Sequence, residues 1–146
     1  MPTQNKPIAE IQTEIVNDFQ DFTDWQEKYE YIIELGFELE PLPAEYKTEA
    51  RRIVGCQSNV WLQADFDPEQ GLMHYLADSE SMIVKGLISL LVQVLSGQPP
   101  EAILTAQLSF LHQIGLDQHL SVTRSNGLAA MVQEMKRQAA LHLAEA

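Results

Sequence analysis

The sequence predicts an α+β fold, a small antiparallel sheet of about three strands packed against several helices. Three observations point there. Apolar residues recur at helical spacing up to Gly36, alternation takes over at Asn59, and helical spacing returns after Asp78. The 146 residues make one domain, with residues 1–9 expected to be flexible. That length suffices for a core without disulfides or a structural metal.

Each element has its own signature. Ile11, Ile15 and Phe19 predict an amphipathic helix over 10–19. In "TDWQEKYEYIIELG", Thr23 and Gln26 have capping-box spacing, Trp25, Tyr29, Ile32 and Ile33 share a stripe, and Gly36 is a stop. That predicts a helix over 24–35. "FELEPLPAEYKTE" has two prolines and little periodicity, which reads as a loop with one helical turn. "RRIV" fits a short strand over 51–55, and "NVWLQADF" a half-buried strand over 59–66 with Val60, Leu62, Ala64 and Phe66 on one face. "DPEQG" is a turn and "LMHYLA" the antiparallel partner over 72–77.

The second half is helical. The apolar run from Ser79 to Ser96 predicts a helix over 82–96, buried against the sheet and closed by "GQPP". "EAILTAQLSFLHQIGLDQHL" predicts one or two short helices broken at Gly115. The last helix, over 126–142, carries Leu128, Met131, Val132, Met135 and Ala139 on one stripe.

Charge narrows the function classes. The net charge is −12, and residues 1–50 hold twelve acids against three lysines. Such a field repels phosphate backbones and argues against nucleic acid. "MIVKGLISLLVQVL" is too short to span a bilayer and is interrupted by Lys85. The N-terminus has no basic start before an apolar run, and a single cysteine asks for no oxidising compartment, so the chain reads as cytoplasmic.

Most site chemistries find no support. His74, His112, His119 and His142 lie in different elements with no ligand spacing, so no metal is expected. There is no phosphate-binding glycine loop and no nucleophile elbow. Cys56, the only cysteine, stands out by elimination. Gly55 before it permits a tight backbone and close approach of another chain, and Gln57 and Ser58 offer polar groups to hold a thiolate. Arg51 and Arg52, in a stretch free of acids, would favour that thiolate. A lone thiol has no resolving partner, so it favours a carrier over a self-contained redox enzyme. The plainer reading is a small buried hydrophobe.

"VGCQSNVWL" resembles the signature of the SufE family, the sulfur acceptors that serve cysteine desulfurases in iron–sulfur cluster assembly. "WQEKYEYIIELG", "DSESMIVKGLISLL", "IGLDQHL" and "TRSNGLAAM" resemble the family's further blocks in the same order, from about Asp18 to Ala140. The resemblance implies a fold shared with iron–sulfur scaffold proteins. It also implies that Cys56 accepts persulfide sulfur from a PLP-dependent desulfurase of the SufS or CsdA type and stimulates it. The sulfur would pass on to a downstream iron–sulfur scaffold, and PLP would belong to the partner, leaving this chain without a cofactor. Asp78 and Arg124 match polar positions near the family's cysteine loop. Glu80-Ser81 and Val122 depart from its usual pattern. A weak homodimer is compatible with the sequence.

Local explanations exist beside these roles. Asp78 fits a turn beside Ser79, Arg124 a surface cation flanking a helix, and Trp61 a cover residue. Two rival functions remain: an adaptor that activates a desulfurase by binding alone, and a peroxide-sensing thiol. The thiol's surroundings are expected to come from Ile53, Val54, Val60, Trp61 and Leu62, sheltering it until a partner docks.

Overall fold

The structure, a computed structural model, describes residues 6–56 and 58–145. Helix α1 (Ile8–Gln20) lays Ile11, Ile15 and Phe19 into the core, the trio its spacing predicts. Its start at Ile8 puts the last two residues of the expected flexible segment in helix, while residues 1–5 lie outside the described residues. Helix α2 (Trp25–Phe37) is capped one residue later than the sequence reading. Asp24 accepts from the Glu27 amide at 2.9 Å, and Thr23 Oγ1 donates to the Glu27 carboxylate at 2.7 Å. Two single 3-10 turns, at Ala44–Tyr46 and Glu49–Arg51, fill the proline-containing loop.

Among the described residues the sheet has two strands, not three. Strand β1 (Val60–Asp67) pairs antiparallel with β2 (Leu72–Ser79), with Val60 opposite Ser79 and Asp67 opposite Leu72. The predicted strand at 51–55 is replaced by the second 3-10 turn and one bridge, Arg52 to Trp61. The chain turns at Val54 and Gly55, where φ of +103° suits glycine, so no second pair can form. At the hairpin end, Asp67 Oδ1 accepts from the Glu69 amide and Gly71 turns with φ of +72°.

The free edge of β2 is covered by the segment after helix α3 (Met82–Leu95). Met73 N–H donates to Gln98 O at 2.9 Å, and Tyr75 N–H to Ser96 Oγ at the same distance. Strand β2 is buried along nearly its whole length rather than on alternate residues, its polar His74, Asp78 and Ser79 included. Three short helices follow, α4 (Pro100–Thr105), α5 (Phe110–Gln113) and α6 (Leu116–His119), with the expected break at Gly115. Helix α7 (Val122–Glu145) begins earlier than the 126–142 expected. The Ser121 hydroxyl accepts from the Arg124 amide and so caps a first turn the sequence reading left out. Met131, Met135 and Ala139 are buried on its predicted stripe.

Helices α2 and α3 cross in backbone contact. A Cβ on Gly86 would stand 2.0 Å from Ile32 O and 2.5 Å from Ile32 Cγ2. Alanine there gains about 1 kcal/mol of helix propensity. It must also push two packed helices apart, a cost of about 3 kcal/mol. Gly86→Ala should therefore destabilise by about 2 kcal/mol net, read as a lower urea midpoint. Gly71→Ala, with open space around it, should cost only the strain of its positive φ, about 1 kcal/mol. Equal midpoints for the two variants would contradict the tight crossing.

Candidate functional site

Cys56 follows Gly55 on a loop that leaves the sheet at Ile53 and returns at Val60. Ile53 N–H donates to Val60 O at 2.8 Å and closes the loop's base. The thiol folds back against α7, where Cys56 Sγ donates to Gly127 O at 3.5 Å. A Cβ on Gly127 would lie 3.5 Å from that sulfur, an ordinary van der Waals contact, so the loop packs closely on the helix at this position.

Beside the sulfur lies a cavity of about 100 Å³. Val60, Val84, Leu87 and Ile88 form much of its apolar wall, Leu128 and Met131 close it from α7, and Ser58, Thr123 and Arg124 stand along it. The cavity has room for a few water-sized atoms. Of the surroundings expected from sequence, only Val60 takes part. Val54 points outward at 84% exposure, and Ile53 is buried in the core. The missing walls come from α3 and α7, remote in sequence. One clue was available: Gly127 in the middle of a helical pattern, where glycine carries a cost.

The electrostatics differ from the sequence expectation. Arg52 Nε bonds Glu49 at 2.9 Å, while Arg51 Nε bonds Gln63 and its guanidinium stacks 4.8 Å from the Tyr46 ring. Both cations are engaged away from the sulfur. Burial pushes the Cys56 thiol up, and the carbonyl it faces accepts only from the protonated form. The resting group is a thiol, not the cation-stabilised thiolate foreseen.

Of the supporting residues, Ser58 and Arg124 join Cys56 at the cavity. Arg124 is exposed, and its guanidinium makes no ion pair among the described residues. Gly55 sits against α7, where its added Cβ would meet Ala130 Cβ at 3.4 Å. Gln57 lies outside the described residues. Asp78 is not at the cavity. It is 8% exposed at the end of β2, paired with Lys47 at 3.0 Å and Lys85 at 3.4 Å, and accepts from the Ser79 amide at 2.8 Å. It thus ties the loop before the cysteine to α3, and Lys47 also lies over the Trp61 ring.

The histidines do not converge. His74 is on β2, His112 pairs with Asp117, His119 stacks on Trp25 and His142 on Phe66. Among the described residues no helix is long and apolar enough to cross a membrane.

Comparison with known proteins bears on this arrangement. The sequence model of a family described as "SufE: Fe-S metabolism associated domain" matches residues 13–139. The chain is 41% identical over 117 residues to "Sulfur acceptor protein CsdE" of Escherichia coli, covering 79% of this chain and 78% of that protein. It is 35% identical to an uncharacterized SufE-like protein of Rhizobium etli, covering 99% of both chains. It is 42% identical to "SufE-like protein 1, chloroplastic/mitochondrial" of Arabidopsis thaliana, matching 94% of this chain but spanning 38% of that protein's length. A solution structure of a hypothetical protein from Thermus thermophilus shares the fold, with a TM-score of 0.75 at 22% identity over 92% of this chain and 96% of that one.

The buried carboxylate gives a pH prediction. Burial opposes ionisation of Asp78, but the Lys47 hydrogen bond, the Ser79 amide and Lys85 outweigh it and hold the carboxyl below its usual 3.8. A depressed carboxyl stabilises the fold above the unfolded value, and that contribution is lost as pH falls through the folded one. Asp78→Asn should therefore be less stable than wild type at pH 7, by on the order of 2 kcal/mol. The gap should narrow as pH falls below about 4. A gap in urea midpoints that stays constant with pH would contradict the assignment.

Proposed function

This chain belongs to the SufE family, and on that premise we propose that it is a sulfur acceptor that takes persulfide sulfur onto Cys56 and hands it on. The observation that carries the reading is a single thiol on a glycine-hinged loop, laid beside an apolar cavity with room for an added sulfur. The donor is a cysteine desulfurase of the SufS or CsdA type, whose own cysteine bears the sulfur and whose PLP generates it. Cys56 needs no cofactor of its own.

The step is an exchange at sulfur. Cys56 gives up its proton, and its thiolate attacks the outer sulfur of the donor's Cys–S–SH. The new S–S bond forms as the old one breaks, and the donor leaves as a thiolate that takes up a proton. No electrons are gained or lost overall. In-line attack requires the sulfur to leave the Gly127 carbonyl, so the loop must lift away from α7 before transfer. Lifting also moves the thiol into water, where the burial penalty on its ionised form disappears. Arg124, beside the cavity and without an ion pair among the described residues, would meet an acidic group of the donor or the thiolate in transit.

After transfer, the cavity can take the outer sulfur among apolar side chains, away from competing thiols. Delivery to an iron–sulfur scaffold would discharge it. Clearing sulfur from the desulfurase restores that enzyme, which accounts for stimulation without independent turnover here. A peroxide sensor would want an exposed, low-pKa thiol, and burial of Cys56 goes the other way. A reducing compartment such as the cytoplasm suits a protein with one unpaired cysteine.

Incubation with a desulfurase and cysteine should add about 32 Da per sulfur to the intact mass, as persulfide chemistry requires. Cys56→Ser should gain nothing and should lose stimulation of the partner while melting like wild type. A serine variant that stimulates fully would overturn the acceptor reading in favour of a binding-only adaptor.

A further inference from the structure

The loop bearing Cys56 is held by little beyond its closed base. Among its described residues, two hydrogen bonds reach the rest of the protein. One is the thiol donating to Gly127 O; the other is Asn59 N–H donating to Glu80 Oε1 at 3.2 Å. Glu80 lies just past the end of β2, between Asp78, whose carboxylate is fixed by two lysines, and Ser81, the cap of α3. Its backbone is therefore anchored on both sides, while its exposed side chain crosses to the returning limb of the loop.

We propose that Glu80 is a positioning residue for sulfur transfer, holding the returning limb of the loop so that Cys56 rests against α7. The geometry divides the work. The thiol's own bond to Gly127 disappears once Cys56 is charged or carries sulfur, since it depends on the S–H proton. The bond from Asn59 to Glu80 does not involve the sulfur and can persist through either state. It therefore biases the loop toward its docked position both before and after loading. The inference takes its functional meaning from the acceptor reading, but its test does not need a desulfurase.

The test is the rate of Cys56 alkylation by iodoacetamide, followed across pH, in wild type, Glu80→Ala and Glu80→Gln. The single cysteine makes the readout specific. Alanine removes the acceptor, and glutamine keeps a carbonyl oxygen without the charge. Loss of one such bond should speed alkylation about threefold to tenfold near neutral pH, with the midpoint of the pH profile falling toward that of an ordinary cysteine because less of the thiol is docked. Glu80→Gln should restore most of the slow rate. Two results would overturn the inference: an alanine variant as slow as wild type, or a glutamine variant as fast as alanine. A glutamine variant whose midpoint falls as far as that of alanine would also overturn it, showing that the carboxylate acts by charge on the thiolate. Urea midpoints confirm that both variants remain folded. A wild type that takes up no sulfur from a desulfurase would defeat the acceptor reading and leave this result standing.

Discussion

A loop from the sheet lays its sulfur against the backbone of a helix. Gly127 on α7 provides that surface, and the Cys56 thiol donates to its carbonyl. Much of the rest of the fold serves to bring the two together. The β1–β2 hairpin launches the loop, α3 packs on β2 and supplies one wall of the cavity, and α7 supplies the other. The close crossing of α2 and α3 at Gly86 fixes where that first wall stands. A change in any of these spacings would be felt at the sulfur, because packed interiors transmit displacement.

The contact has two consequences that pull in opposite directions. A thiol donating to a carbonyl in an apolar setting is protonated and poorly nucleophilic, so it survives unused. The same thiol must become a thiolate to attack sulfur. A fixed site would have to compromise between these demands. A loop resolves them by changing the environment of one residue: docked, it is protected, and lifted, it ionises as an ordinary cysteine. Gly55, in a backbone conformation that other residues adopt only under strain, gives the loop its tight turn beside the sulfur. The ionic tie lies outside the cavity, where Asp78 bridges Lys47 and Lys85.

Elements whose burial follows a local period were legible in the sequence. The Ile11–Ile15–Phe19 stripe, the hairpin about "DPEQG" and the break at Gly115 all stand where their residues put them. The strand expected at "RRIV" was not realised. β-branched Ile53 and Val54 favour extension, but Glu49 three residues back captures Arg52, and the turn at Gly55 cuts pairing to one bridge. The same capture silenced Arg52, and Gln63 and Tyr46 hold Arg51, so neither cation acts on Cys56 as expected. Charge counted along a chain does not reveal which partner takes each charge. The cavity was least legible, because Val84 to Leu91 and Thr123 to Met131 are far from Cys56 in sequence and read there as ordinary core stripes. Cys56 itself was found by elimination and by resemblance, and its state, a thiol at rest, came only from the fold.

The central claim is that the native fold shelters this thiol. The direct measurement compares the alkylation rate of Cys56 in the folded wild type with that of the same chain unfolded in urea, at one pH. With burial and the Gly127 contact both acting, the folded rate should be slower by about tenfold or more. A folded chain that reacts as fast as the unfolded one would show that the docked thiol is not protected, and the account would fail.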